Sequence, residues 1–116
     1  MNILDKLAAV LTPQSVEKGN MPDMPDDMIG LFEYRGGPPE HYFDGTDIIY
    51  SVQVRVRNPK SVTAYITAAK IAAKLNRYQD GEISILQSTS ILDIGKEPSR
   101  NPPRHEYTVN FTIRRL

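Results

Sequence analysis

The sequence predicts an α+β domain: a sheet of about four mostly antiparallel strands, one main helix packed on one face, and a short N-terminal helix. Residues 48–57 and 106–115 alternate apolar and polar side chains with the period of two that a strand with one buried face shows. An alanine-rich segment with helical periodicity lies between them. The predicted order of elements is therefore α-β-β-α-β-β.

The first third of the chain combines a short helix, a connector and a strand. Met1–Leu11 is predicted to be an amphipathic helix that Pro13 closes. Thr12–Asp27, here called the arm, contains three prolines and one glycine and shows no periodicity, which favours a connector. Met28–Arg35 is predicted to be the first strand. The 13 residues of Arg35–Asp47 are rich in Gly, Pro and Asp and indicate a long loop.

The strand Ile48–Arg57 is the clearest in the sequence. Its alternation predicts four core-facing residues, Tyr50, Val52, Val54 and Val56. The other face is predicted to carry Ser51, Gln53, Arg55 and Arg57 and to contact water or a partner.

The main helix is predicted to start at Asn58 as N-cap with Pro59 in the first helical position. It is expected to run to about Tyr78, with Asp80-Gly81 at its end. Its predicted apolar side consists of Val62, Tyr65, Ile66, Ala69, Ala72 and Ala73, with Ile71 or Leu75.

The C-terminal third is predicted to add two more elements of the sheet. Ile83–Ile94 indicates a third strand or a bent pair of strands. Lys96–Arg104 is a second proline-rich loop. Glu106–Arg115 is predicted to be the final strand, with its alternate apolar residues inward: Tyr107, Val109, Phe111 and Ile113.

Length and composition limit the class of protein. A chain of 116 residues suits one domain, 1–116. It contains no cysteine, which excludes disulfides and thiolate chemistry and favours a reducing cytoplasm. No apolar run is long enough to cross a bilayer, and the N-terminus lacks the pattern of a signal peptide. We therefore expect no membrane partner.

The net charge is zero, but the charges are distributed unevenly. Residues 21–47 hold seven acidic residues and one basic residue, whereas residues 48–116 hold eleven basic and five acidic residues. Either the fold mixes these charges in space, or opposite faces carry opposite charge and identical subunits pack head to tail. The second interpretation predicts subunit-interface residues: Arg55, Arg57, Arg114, Arg115, Asp23, Asp26, Asp27, Asp44 and Asp47.

Signatures of catalysis and cofactor binding are missing from the sequence. His41 and His105 lack the spacing of a metal pair and are interpreted as surface residues. Gly36-Gly37 is not followed by the Lys-Ser/Thr of a phosphate loop. We therefore predict no enzymatic activity, no cofactor and no metal. The arm and the loop Arg35–Asp47 are expected to become ordered only on assembly, because both have little apolar surface to bury.

Three segments carry a resemblance to a known family: "IGLFEYRGGPP", "YSVQVRVRNP" followed by an alanine-rich helix, and "EYTVNFTIRR". With the short helix and proline-rich arm before them, they resemble the minor capsid and tail terminator (tail completion) proteins of long-tailed bacteriophages. The resemblance implies a virion protein that forms a ring, typically of six copies. Such a ring caps the tail tube, meets the head connector and lets DNA pass without sequence-specific binding.

Two alternatives remain open at this point. A head-completion or neck protein of a phage has a similar size. A small phage inhibitor that binds a host protein belongs to a different class, and it would be monomeric or dimeric rather than ring-forming.

Overall fold

The computed structural model describes residues 2–34, 48–97, 101 and 103–116. The α+β class is confirmed, but these residues form six strands rather than about four. The predicted loop Arg35–Asp47 lies outside the described residues. In chain order, the elements are α1 (Ile3–Val10), β1 (Glu17–Lys18), β2 (Met28–Tyr34), β3 (Ile48–Asn58), α2 (Ser61–Leu75), β4 (Ile83–Gln87), β5 (Leu92–Lys96) and β6 (His105–Arg115).

The six strands form one mixed sheet in the order β1-β2-β3-β6-β4, and β5 also pairs with β6. Only β1 and β2 are parallel; every other described pair is antiparallel. β3 and β6 pair from Ile48 opposite Arg115 to Asn58 opposite His105. The predicted bent pair over residues 83–94 is confirmed, because β4 and β5 follow each other along β6 with an irregularity between Asp93 and Gly95.

The core lies between one face of the sheet and the two helices. The alternating residues of β3 and β6 supply the sheet side, with Phe111 as the largest fully buried side chain. The helix α2 contacts the sheet through small residues, which let a helix lie close to the strands. Its buried residues are Ala64, Ala68, Ile71, Ala72 and Leu75.

The predicted apolar side of α2 is therefore largely wrong. Val62, Tyr65 and Ile66 are exposed, and only Ala72, Ile71 and Leu75 of the predicted set are buried. The helix carries apolar residues around most of its circumference, so helical periodicity alone is compatible with two different apolar stripes facing the core. The stripe that faces the sheet combines three alanines with Ile71 and Leu75, and the alanines let the helix lie close to the strands.

The start and end of α2 also differ from prediction. Asn58 remains paired in β3, so neither Asn58 nor Pro59 begins the helix, which starts at Ser61. The Asn58 side chain instead accepts a hydrogen bond from the Lys60 amide at 2.9 Å. The helix ends at Leu75, and Asp80-Gly81 belongs to the turn before β4.

The N-terminal helix is confirmed with slightly shorter bounds. Asn2 caps it by accepting hydrogen bonds from the amides of Leu4 and Asp5. Ile3, Leu7 and Leu11 are buried against the sheet. The helix thus covers the part of the core that α2 leaves open near β1 and β2.

A polar cluster joins α1 to the turn before β4. Nζ of Lys6 lies 2.7 Å from Oδ2 of Asp80 and 3.3 Å from Oε1 of Glu82. The Asp80 carboxylate also accepts hydrogen bonds from the amides of Glu82 and Ile83 and from the Tyr78 hydroxyl. Lys6 and these amides hold the pKa of Asp80 well below its usual range. The same carboxylate raises the pKa of Lys6 and of Tyr78.

Candidate assembly surfaces

The arm crosses the face of the sheet that lies opposite the helices. β1 is parallel to β2, so the chain must return between them along the length of the strands. Met21 packs over Gly30, where an added Cβ would lie 2.6 Å from Cγ of Met21. Gly30 faces away from the core because its neighbours Ile29 and Leu31 are core residues. Glycine at this position lets the arm approach the sheet closely.

Arg57 fixes the arm through the backbone. Its guanidinium donates to the carbonyl oxygens of Pro22 and Pro25, both at 2.7 Å, and of Asp23 and Asp26, both at 3.3 Å. A planar group with several fixed N–H donors suits four converging acceptors. The side chain is therefore buried beneath the arm rather than exposed.

Arg104 is a second buried arginine beneath the arm. Its guanidinium donates to the carbonyl oxygen and the carboxylate of Asp23, and to Oε2 of Glu97 at 2.7 Å. Its Nη1 also lies 3.7 Å from Oδ1 of Asp26. The Glu97 carboxylate, followed by Asp23, raises the pKa of Arg104. Arg57 and Arg104 are only 4% and 2% exposed, so both arginines form part of the folded structure.

The prediction that the arm lacks order before assembly is wrong in this structure. Its short strand β1 pairs with β2, and the Gly19 amide donates to the carbonyl of Leu31 at 2.8 Å. The prediction counted only apolar burial. The two guanidinium groups supply the missing contacts, because charge-assisted hydrogen bonds are stronger than neutral ones.

The four predicted interface arginines do not form one surface. Arg55 is half-buried, donates to Gln53 at 3.2 Å and lies over the ring of Phe32, with 5.8 Å between its guanidinium carbon and the ring centroid. Arg57 lies on the face away from the core, as predicted, but the arm of its own chain covers it, so it is not exposed as expected. Arg114 and Arg115 are exposed at the opposite end of β3 and β6 from Arg57.

The predicted acidic residues fall into three groups. Asp23 and Asp26 contact Arg57 and Arg104 within the same chain. Asp27 is exposed beside them. Asp44 and Asp47 lie outside the described residues. The interface role of all these residues remains a prediction, although the acidic arm meets arginines of its own chain here.

Sequence reasoning missed Arg104. It follows two prolines and directly precedes β6, a position that predicts an exposed loop residue. Only its distance to the arm, 81 positions earlier in the chain, reveals its role. No local pattern signals a contact of that separation.

The second surface is the outward face of α2. Val62, Tyr65 and Ile66, here called the α2 stripe, are 71%, 49% and 46% exposed. The Tyr65 ring packs edge-to-face on Tyr107, with 5.6 Å between ring centroids. The Tyr107 hydroxyl is in turn 2.8 Å from Oγ of Ser61. The aromatic end of the stripe is thereby held in one position.

Chemical sites are not apparent in the part of the chain that the structure describes. No group of three or more His, Cys, Asp or Glu side chains there could hold a metal ion. Neither of the helices found among the described residues has the length and apolar character to cross a bilayer. The described features that stand out are therefore surfaces and the arm contacts.

Comparisons with known proteins find one similar solved structure and one matching family. One solved chain, whose name describes no function, is 18% identical, with a TM-score of 0.53 over 97% of this chain and 86% of its own length. That similarity concerns the fold alone. The search of curated proteins finds no significant match. The model of the bacteriophage tail terminator protein family matches residues 7–115. This chain therefore belongs to the bacteriophage tail terminator protein family and has a structural role in the tail of the virion.

Proposed function

We propose that this chain is a subunit of a six-membered ring that ends the growth of the phage tail tube and joins the tube to the head connector. The ring assembles in the host cytoplasm, and DNA passes through its channel without sequence-specific contacts. The family match over nearly the whole chain carries this proposal. The number of copies follows from the resemblance of the three sequence segments described above.

The two faces of the subunit support a ring. Helices cover one face of the sheet and the acidic arm crosses the other, so the two faces differ in shape and charge. A surface that is not self-complementary favours head-to-tail contacts over two-fold pairs. Head-to-tail contacts give closed rings when the rotation between subunits closes.

The charge of the chain supports passage of DNA rather than its capture. Proteins that coat DNA neutralise many phosphates and are strongly basic, whereas this chain has a net charge of zero. A channel built from such subunits would leave the duplex free to slide. A nucleic-acid binding role would require a basic surface much larger than the exposed Arg114 and Arg115 supply.

We also propose that the ring works without catalysis, cofactor or metal. Its task is to present matching surfaces to the tube and the connector, which requires shape and charge but no reactive group. Elemental analysis of the purified ring tests this. A stoichiometric transition metal would contradict the proposal.

The decisive experiment removes the chain from infection. A phage with an early stop codon in this gene is expected to produce tail tubes of uncontrolled length that are not joined to heads, visible by negative-stain electron microscopy. Purified protein added to that lysate should restore joined particles. Light scattering after size exclusion should give a mass of about six subunits for the active form.

The alternatives give different images in the same experiment. Tails of normal length beside defective heads would indicate a head-completion or neck protein. Normal, infectious particles that lack the chain would indicate a protein that acts on the host. Either outcome would overturn the proposed role at the end of the tail tube.

A further inference from the structure

Arg104 and Glu97 close the connection between β5 and β6 at its base. Glu97 directly follows β5 and Arg104 directly precedes β6. The Glu97 amide donates to the carbonyl oxygen of Arg104 at 3.0 Å, and the Glu97 carboxylate accepts from Nη2 of Arg104 at 2.7 Å. The position of the Arg104 side chain therefore depends on how this connection is folded.

The same guanidinium also reaches the arm. Its Nη1 donates to the carbonyl oxygen of Asp23, and its Nη2 donates to Oδ1 of Asp23 at 3.3 Å. Nη2 thus divides its two N–H groups between Glu97 and the arm. Nε of Arg104 is buried without a hydrogen-bond partner among the described residues. The two Nη groups therefore set the orientation of the guanidinium, and they depend on both segments.

Arg57 holds the arm in a different way. Its described hydrogen bonds go to carbonyl oxygens of the arm and to the sulfur of Met28, the first residue of β2. It thus ties the arm to β2 and β3, whereas Arg104 ties the arm to the β5–β6 connection. A change in that connection can reach the arm through Arg104.

The burial of Arg104 gives this contact its direction. The Arg104 side chain is 3% exposed, whereas the carboxylates of Glu97 and Asp23 are 37% and 70% exposed. A guanidinium beneath the docked arm loses hydration and needs carboxylate partners to offset that loss. With the arm released, the guanidinium would lie in water, where an ion pair contributes much less. Glu97 therefore stabilises the docked arm more than the released arm.

We infer that Arg104 couples the arm to the β5–β6 connection, so that the arm loosens when Glu97 is drawn away from Arg104. The two states are the docked arm of this structure and an arm released from Arg104. Because such coupling is reciprocal, weakening the contact of the arm with Arg104 must also loosen the base of the connection. This coupling is a property of the single subunit, so it holds whether or not the chain forms a ring.

A spin label in the arm tests the first direction. The chain contains no cysteine, so Met24→Cys carries a single nitroxide at a position that is 59% exposed. We expect Glu97→Gln to increase the mobile component of its EPR spectrum at least about threefold, because the buried guanidinium loses a charged partner. Glu97→Asp keeps the charge and should restore most of the wild-type spectrum. Asp27→Asn, which removes an exposed carboxylate of the arm, is the matched control and should change nothing.

A double-mutant comparison shows whether the effect passes through Arg104. Asp23 and Glu97 each make a further interaction, so Glu97→Gln alone could act on the arm by another route. In an Arg104→Gln background, Glu97→Gln should leave the spectrum of the label unchanged. An equal increase in both backgrounds would overturn the inference.

Hydrogen exchange tests the reverse direction without a label. Asp23→Asn is expected to speed exchange of the Glu97 amide at least about threefold, measured by NMR, while Asp27→Asn leaves it unchanged. Equal acceleration at the core amides of β3 and β6 would show global destabilisation and overturn the coupling. An unchanged label spectrum in folded Glu97→Gln protein would overturn it as well. If Glu97→Gln does not fold, the exchange of the Glu97 amide decides by itself.

Discussion

Nζ of Lys6 lies 2.7 Å from Oδ2 of Asp80, so an ion pair joins the N-terminal helix to the turn that opens the fourth strand. The two residues are far apart in sequence, and the remaining bonds of Asp80 come from its own turn. One carboxylate thereby orders the turn and holds the helix on the sheet.

The depressed pKa of Asp80 predicts a loss of stability in acid. Because the folded-state pKa lies below the value of about 3.9 in an unfolded chain, the contribution of Asp80 is complete above about pH 4. It is lost as the pH falls below that value toward the folded-state pKa. We expect Asp80→Asn to lower the melting temperature at pH 7 and to flatten its decline below pH 4, measured by circular dichroism. Asp27→Asn, which removes an exposed carboxylate, is the control, and parallel curves for Asp80→Asn and wild type would contradict the prediction.

Arg57 should contribute far more to stability than an exposed arginine on the sheet. Arg57→Gln removes the guanidinium from four carbonyl oxygens of the arm, and we expect a loss of about 2–4 kcal/mol in urea unfolding. Arg115→Gln, at the exposed end of β6, should cost less than about 0.5 kcal/mol. Hydrogen exchange should also become faster throughout the arm of the Arg57 variant. Equal losses from the two substitutions would show that the buried contacts are energetically unimportant.

Gly30 and Met21 should be energetically coupled. A methyl group at position 30 would lie 2.6 Å from Cγ of Met21 and 2.8 Å from the ring of Phe32, so Gly30→Ala should cost about 1–3 kcal/mol. In a Met21→Ala background the same substitution should cost about 0.5–2 kcal/mol less, because one of the two obstructing side chains is gone. A double-mutant cycle by urea unfolding measures the difference. If the losses in unfolding free energy from the two substitutions simply added, Met21 would not contact position 30. The arm would then lie farther from the sheet than the structure shows.

The two isoleucines of α2 should respond differently to truncation. Ile71→Ala opens space in the core and should cost about 2–4 kcal/mol, whereas Ile66→Ala on the exposed face should change stability by less than about 0.5 kcal/mol. Alanine also has the higher helix propensity, which offsets any small loss at position 66. Thermal or urea unfolding of the monomer measures both. A large loss at position 66 would mean that the sequence-based choice of the core face was correct.

The strands were predictable where a single rule decided their structure. In β3 and β6, alternation fixes which side chains enter the core, and Val52, Val54, Val109 and Phe111 are buried as predicted. The same alternation correctly places Arg57 on the opposite face. It could not show that the arm covers that face, because cover depends on a segment 31 to 35 residues away.

The helix and the short strand were harder to predict for different reasons. In α2, two apolar stripes compete, and the buried one is the stripe that includes Ala64, Ala68 and Ala72, whose small side chains let the helix lie close to the sheet. The two-residue strand β1 has no pattern of its own, since it pairs only because the arm returns along β2. Its existence follows from the fold rather than from its residues.

Arg57 holds the arm through backbone oxygens, and this affects which side chains the arm can carry. A guanidinium that donates to backbone carbonyl oxygens can make the same hydrogen bonds whatever side chains those residues carry. A substitution at the exposed Met24 is therefore expected to leave the path of the arm over the sheet unchanged. The path of the arm and the chemistry of its outer surface are thus set by different atoms, the path by backbone oxygens and the surface by exposed side chains.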